Sequence, residues 1–178
     1  HRQKIKLMMH KKISFACVIF TLVFALVSCG SSKKTAKSSN TYSTHLTIQE
    51  ERQFSYYFYE ALRQKQLQKY DAAIELLTKC YNINPYDAAV RYEMANVYTI
   101  NGQMQAAISS LNEAVTLDNK NLWYKVNLAN LYLLLGDLKS ATQVYEAASL
   151  QYPEKEEILY NLVELYTKQN RYNEAITT

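Results

Sequence analysis

The sequence predicts an all-α protein, a right-handed superhelical array (α-solenoid) of antiparallel helix hairpins. The first observation is a side-chain pattern with a fixed period, which places tyrosine at Tyr98, Tyr132 and Tyr166. Alanine recurs with the same spacing, at Ala73, Ala107, Ala141 and Ala175. The second observation is that both prolines, and two of the three glycines, fall between segments of helical periodicity. A fixed period of about 34 residues is typical of stacked helical hairpins rather than one closed core.

Residues 1–28 have the features of a secretory signal peptide. Lys4, Lys6, Lys11 and Lys12 precede an uncharged apolar run at 13–27. This run is shorter than the roughly 20 residues that a transmembrane helix needs. A positive start, a short apolar run and then small residues are typical of a secretory signal.

The signal ends in the sequence Leu26-Val27-Ser28-Cys29, which resembles the lipobox of bacterial lipoproteins. The resemblance implies cleavage before Cys29, a diacylglycerol on its thiol and acylation of its new amino terminus. Gly30, where an aspartate would favour inner-membrane retention, implies the outer membrane of a Gram-negative cell. The alternative interpretation is an uncleaved membrane anchor. The resemblance therefore predicts a lipid-anchored protein of the cell envelope.

Residues 29–46 are predicted to form a tether that begins with the lipidated cysteine. They consist mainly of Ser, Thr, Lys and Asn with few apolar side chains, a composition that favours disorder. Cys17 would leave with the signal and Cys29 would carry lipid, so Cys80 would be the one remaining thiol. No disulfide is then expected within the mature chain, and Cys80 is expected to be a small, buried packing residue.

Residues 47–178 are predicted to form the array of helices. Thr47-Ile48-Gln49-Glu50 is a capping box, which predicts a first helix from here to about Gln66. The predicted hairpins are residues 54–87, 88–121, 122–155 and, in part, 156–178. Gly102 and Gly136 supply the positive φ that ends a first helix. Pro85, Asn119 and Pro153 separate one hairpin from the next.

The spacing of small residues and tyrosines resembles that of the tetratricopeptide repeat. In residues 122–155 the matching positions are Leu128, Ala129, Tyr132, Gly136, Ala141, Tyr145, Ala148 and Pro153. The resemblance covers residues 54–178, which is most of the chain. It implies that the first helix of each hairpin lines a concave groove that holds a peptide or a partner helix.

The groove positions of the family map onto aromatic, amide and a few charged side chains of this chain. They are Phe58, Tyr59, Leu62, Lys65, Tyr92, Glu93, Asn96, Thr99, Trp123, Val126, Asn127, Asn130, Leu133, Tyr160, Asn161, Glu164 and Lys168. The alternative is that these residues only support the scaffold. Trp123 is either a binding hot spot or half-buried between repeats. Phe58, Val126 and Asn127 stand where chaperone-tail-binding members carry Lys or Arg, so capture of a carboxylate tail is not expected.

The array carries no recognisable catalytic group. No histidine follows His45, and Gly102 and Gly136 are isolated turn residues rather than a phosphate-binding loop. From residue 54 onward there are 11 basic and 14 acidic residues, a net charge of −3 that does not favour nucleic acid. We therefore expect no enzyme activity within these residues, no cofactor, no metal and no small-molecule substrate.

Three functions fit these observations. The first is a lipid-anchored scaffold or adaptor that mediates protein–protein interactions in the bacterial cell envelope. The second is the substrate-docking arm of a larger enzyme or sensor whose catalytic domain lies beyond residue 178. The third is an assembly factor for outer-membrane proteins or surface appendages. Because the last repeat is partial, Ile158, Leu162 and Tyr166 are expected to lack full cover.

Overall fold

The computed structural model describes residues 45–178, and the predicted signal peptide, Cys29 and most of the tether lie outside this part. The described residues form eight helices and no strand, which confirms the predicted all-α fold. The helices are α1 (Ile48–Gln66), α2 (Tyr70–Ile83), α3 (Ala88–Ile100), α4 (Met104–Leu117), α5 (Leu122–Leu134), α6 (Leu138–Gln151), α7 (Glu156–Lys168) and α8 (Tyr172–Thr177).

The helices pack in chain order as four hairpins. The pairs α1/α2, α3/α4, α5/α6 and α7/α8 each form one hairpin, and the second helix of a hairpin packs on the first helix of the next. The helices α3, α5 and α7 begin at Ala88, Leu122 and Glu156, the first residues of the predicted repeats. No helix within the described range combines the length and apolarity needed to cross a bilayer.

Helix α1 starts ahead of the periodic pattern, directly after Thr47. The backbone N–H of Glu50 donates to Thr47 Oγ1 at 3.3 Å, and the backbone N–H of Thr47 donates to Glu50 Oε2 at 2.8 Å. These two bonds confirm the predicted capping box and satisfy amides that the helix leaves unpaired. The helix ends at Gln66, as the sequence predicted.

Each hairpin turn contains one residue with a left-handed backbone. Gly102 and Gly136 have φ of 74° and 75°, which confirms the role predicted for them. Gln68, one repeat before Gly102, and Asn170, one repeat after Gly136, have φ of 59° and 60°. The turn conformation is therefore the same in all four hairpins, although only two of them use glycine.

The core consists of three buried clusters, each containing residues of adjacent helices. Every cluster contains an alanine from each helix of one hairpin, and none of these alanines is more than 1% exposed. The pairs are Ala61 with Ala73, Ala95 with Ala107, and Ala129 with Ala141. Because alanine has the smallest side chain after glycine, two helices can pack closely at such a pair.

Cys80 is buried in the first cluster, as predicted. Its Sγ donates to the backbone carbonyl of Phe54 at 3.6 Å. Burial, together with the charge of Asp87, raises the pKa of this thiol to about 12. The side chain therefore stays protonated at neutral pH and acts as a small packing group.

The periodic tyrosines connect one hairpin to the next. The hydroxyl of Tyr166 on α7 donates to Glu146 Oε1 on α6 at 2.8 Å. One repeat earlier, Asn112 Nδ2 on α4 donates to the hydroxyl of Tyr132 on α5 at 3.5 Å. Asn112 and Glu146 are themselves separated by one repeat, so the tyrosine row reflects a contact that recurs between hairpins.

The expectation that the last hairpin would be poorly covered is wrong for three residues. Ile158, Leu162 and Tyr166 are 1%, 2% and 7% exposed. They belong to the same buried cluster as residues of α5 and α6, so the preceding hairpin covers them. On the last helix, α8, Tyr172 and Ile176 are 56% and 84% exposed.

We expect Ala107→Leu to lower the free energy of unfolding by roughly 1–3 kcal/mol, because the added carbons must enter a close-packed helix contact. The denaturation midpoint in guanidinium chloride measures the effect. Ala89→Leu is the matched control, because Ala89 is exposed on α3. Equal midpoints for the two variants would contradict the packing described above.

We expect Gln68→Gly to raise the free energy of unfolding by up to about 1 kcal/mol, because glycine adopts a left-handed backbone without steric penalty. Asn170→Gly is the comparison, and its gain should be smaller because asparagine tolerates this conformation better than glutamine. Thermal and chemical unfolding of both variants checks the order. Destabilisation by Gln68→Gly would show that the backbone at residue 68 stores no strain.

Candidate functional site

The predicted groove residues lie on α1, α3, α5 and α7, the first helices of the four hairpins. None of the twelve central candidates is buried. They are Phe58, Tyr59, Leu62, Tyr92, Asn96, Trp123, Val126, Asn127, Asn130, Tyr160, Asn161 and Glu164. A side chain must reach the surface to contact a partner, and all twelve do so, while their role in binding stays a prediction.

A cleft between α3 and α5 brings three of these candidates together. Asn96 on α3 and Asn127 and Asn130 on α5 line a space of about 180 Å³. The remaining lining residues are Ala95, Thr99, Leu111, Leu131 and Leu134. Since Leu111 belongs to α4, the second helix of the hairpin contributes to the cleft between the two first helices. We call this space the asparagine cleft.

Leu134 is a lining residue that the sequence interpretation missed. Its side chain is 64% exposed at the edge of the asparagine cleft. Ile100, one repeat earlier, is 56% exposed. The signal was present in the spacing, because Leu134 lies two helical turns after Asn127 and one turn after Asn130, which places all three on one helix face.

An aromatic contact joins α3 to α5. The indole N–H of Trp123 donates to the hydroxyl of Tyr92 at 2.9 Å. The Tyr92 ring stacks on Tyr124, with centroids 5.1 Å apart. Trp123 remains 60% exposed, so it bridges two hairpins while keeping most of its surface open. Burial of Tyr124 raises the pKa of its phenol, which therefore stays neutral at physiological pH.

Two of the groove asparagines are held by contacts of their own. Asn127 Nδ2 donates to the backbone carbonyl of Trp123 at 2.7 Å, and the hydroxyl of Tyr145 donates to Asn130 Oδ1 at 3.3 Å. A carboxamide has two donors and an acceptor with two lone pairs, so each side chain keeps capacity beyond this one bond. The contacts orient the amides without exhausting them.

The charged residues of the predicted groove neutralise one another in pairs. Lys65 Nζ on α1 lies 2.5 Å from Glu93 Oε2 on α3, and Lys168 Nζ lies 2.6 Å from Glu164 Oε1 within α7. The first pair links two hairpins and is the less exposed of the two. These four residues therefore add no net charge to the groove face. Exposed ion pairs of this kind contribute little to the free energy of unfolding.

The aromatic residues at the two ends of the groove do not line the asparagine cleft. Tyr59 on α1 is 70% exposed and contacts Phe58 edge-on, with centroids 6.1 Å apart. Tyr160 on α7 is 72% exposed. Among the residues described, no group of three or more His, Cys, Asp or Glu side chains is placed to hold a metal ion. The arrangement supplies hydrogen bonds and aromatic surface rather than reactive groups.

Family models of the tetratricopeptide repeat match three segments of the chain, residues 59–87, 99–156 and 135–178. These segments include parts of all four hairpins. The matches confirm the resemblance that the repeat period predicted.

The sequence is similar to those of known proteins, among them the following two. The BBSome complex member BBS4 of Bos taurus is 31% identical over 109 residues, which cover 61% of this chain and 21% of that protein. DnaJ homolog subfamily C member 3 of Gallus gallus is 32% identical over 148 residues, covering 75% of this chain and 29% of that protein. The chain thus spans less than a third of the length of either relative.

The fold is similar to that of many solved structures, including the following two. A tetratricopeptide repeat protein from Parabacteroides merdae has a TM-score of 0.64 at 24% identity, over 70% of this chain and 50% of that one. The first TPR of Spaghetti (RPAP3), bound to the HSP90 peptide SRMEEVD, has a TM-score of 0.58 at 21% identity, over 72% and 99%. At these identities the likeness concerns the fold.

Proposed function

Because this chain belongs to the tetratricopeptide repeat family, we propose that it is a scaffold that binds a segment of a protein partner. The binding surface is the face formed by the first helices, centred on the asparagine cleft. The observation that carries the proposal is the convergence of Asn96, Asn127 and Asn130 from two hairpins on one open cleft. Amide side chains aimed at a common space are suited to the donors and acceptors of a peptide backbone.

Exposed apolar surface on α5 supplies the rest of the binding energy. Trp123 and Leu134 are both more than half exposed, on the same helix as two of the asparagines. Large aromatic side chains dominate the energetics of many protein interfaces, because they bury much area with few rotatable bonds. A segment bound here would therefore combine backbone pairing to the amides with one or two apolar side chains on Trp123 and Leu134.

The charges favour an uncharged segment. The peptide in the Spaghetti (RPAP3) structure, SRMEEVD, contains three acidic residues. In this chain Lys65 is already paired with Glu93, and Phe58, Val126 and Asn127 carry no charge. An acidic tail would lose its hydration without gaining an ion pair in the centre of the groove. We therefore infer a neutral partner segment rather than a carboxylate tail.

The location that we propose for this scaffold is the bacterial cell envelope, through a lipid on Cys29. The support is the sequence alone: a positive start, a short apolar run and the lipobox resemblance at residues 26–29. Two or more acyl chains would anchor the chain stably, because each buried methylene adds about 0.8 kcal/mol. The asparagine cleft would then face partners in the envelope.

We expect Asn127→Ala to weaken binding of peptides selected from a neutral displayed library by about tenfold, because the lost carboxamide leaves a backbone group of the peptide unpaired. Trp123 is the single tryptophan of the chain, so its fluorescence reports the binding. Asn173→Ala is the matched control, because Asn173 is exposed on α8. Selected peptides whose affinity is the same for both variants would refute the proposed site.

We expect the wild-type chain, expressed in a Gram-negative host, to incorporate an alkyne-tagged fatty acid and to sediment with the outer membrane. Cys29→Ser should abolish the label, because the thiol is the proposed attachment point. Cys80→Ser should keep it, because that thiol is buried. Label that survives in Cys29→Ser would exclude the lipoprotein interpretation.

A further inference from the structure

One pair of equivalent positions links the two helices in each of the first two hairpins, by a cation–π contact in the first and by an ion pair in the second. In the first hairpin, Lys79 Nζ on α2 lies 5.7 Å from the ring centroid of Tyr57 on α1. In the second, Arg91 on α3 forms an ion pair with Glu113 on α4, with Nη2 2.8 Å from Oε2. Tyr57 and Arg91 occupy equivalent positions of consecutive repeats, and so do Lys79 and Glu113. The same two positions therefore form a cross-hairpin pair in both repeats.

The third hairpin has the cation of this pair but not its partner. Lys125 on α5 occupies the position of Arg91 one repeat later, whereas Ala147 on α6 stands where Glu113 stood. Lys125 is only 8% exposed, and no carboxylate within residues 45–178 forms an ion pair with it. Burial alone lowers the pKa of its ammonium group, with no neighbouring charge to offset it.

Two neutral groups contact the ammonium group of Lys125. Its Nζ donates to Gln151 Oε1 at the end of α6, and it lies 5.6 Å from the ring centroid of Tyr152. An ammonium group has three donors, so one amide oxygen does not satisfy it. A buried charge without a counter-charge is costly, and a carboxylate in contact would offset that cost.

Lys125 and Ala147 both line a second cleft of about 340 Å³ between α4 and α6. The other lining residues are Asn112, Val115, Leu128, Tyr132, Ser140, Gln143 and Val144. This cleft shares no residue with the asparagine cleft. It is formed mainly by second helices, so it offers a surface separate from the one proposed above. We call it the lysine cleft.

We propose that the lysine cleft binds an aspartate or glutamate side chain of a protein partner. The carboxylate of that residue completes with Lys125 the pair that Glu113 forms with Arg91 one repeat earlier. The gap at Ala147 leaves room for it, because the methyl group of alanine cannot reach across the hairpin as Glu113 does. An ion pair between the cation of a cleft and a carboxylate of the partner also fixes the position of the partner segment along the cleft.

The rest of the lysine cleft fits a short stretch of polypeptide around that acidic residue. Asn112, Ser140 and Gln143 offer donors and acceptors for backbone groups, while Val115 and Val144 offer apolar surface. The volume lies near the lower end of the roughly 300–1,000 Å³ that ligand sites span, so it suits one or two residues. The proposal does not depend on what the asparagine cleft binds.

The test titrates the isotope-labelled chain with two capped peptides, Ac-Val-Glu-Val-NH2 and Ac-Val-Gln-Val-NH2, and follows backbone amide shifts by NMR. The glutamate peptide should shift the amides of Lys125, Ser140, Gln143 and Ala147 in a saturable way. The glutamine peptide should bind at least about tenfold more weakly, because hydrogen bonds between charged groups are the stronger ones. Equal affinities, or no saturable shift with the glutamate peptide, would overturn the proposal.

Four variants locate the effect. Lys125→Met should remove the preference for glutamate, whereas Lys69→Met, which removes an exposed lysine of the first hairpin, should keep it. Ala147→Glu should also abolish binding, because the new side chain supplies the missing carboxylate within the hairpin. A shift pattern retained in Lys125→Met or in Ala147→Glu counts against the site. Asn127→Ala should bind the glutamate peptide as wild type does, which separates this result from that for the asparagine cleft.

Discussion

The close approach of two helices at paired alanines is the constraint on which the rest of this array depends. Ala61 with Ala73, Ala95 with Ala107 and Ala129 with Ala141 are almost completely buried. Larger side chains at these points would push the helices apart and move every residue that faces the next hairpin. Because each hairpin packs on the next one along the chain, the spacing of the helices at one such pair affects the position of the next hairpin and the shape of both clefts.

The period in the sequence was sufficient to predict the helices, because turn residues, alanines and tyrosines each occupy a fixed position within the packed hairpin. It also predicted the conformation at Gly102 and Gly136, since a left-handed turn favours glycine. It did not reveal that Gln68 and Asn170 adopt the same conformation, because neither residue demands it. A glycine in the sequence indicates where a left-handed backbone is sterically allowed. Tertiary packing can impose the same conformation on other residues.

The candidate site was less predictable than the fold. The family positions include Asn96, Asn127 and Asn130, which line one cleft, but they do not include Leu134, and they do not indicate the pairing of Lys65 with Glu93. Both features depend on the distances between side chains of different hairpins, and the repeat pattern does not give those distances. The lysine cleft shows the same point, since Lys125 becomes unusual only when its lack of a carboxylate partner is compared with the ion pair of Arg91.

The hydrogen bond from Trp123 to Tyr92 connects recognition to the mechanics of the array. It spans two hairpins across the face on which a partner segment would lie. A ligand that replaces either member of this bond also removes a restraint on the spacing of α3 and α5. Binding of a ligand to this face and the curvature of the array are therefore thermodynamically linked. A force that bends the array would change its affinity for the ligand, and the ligand would change the free energy of bending by the same amount.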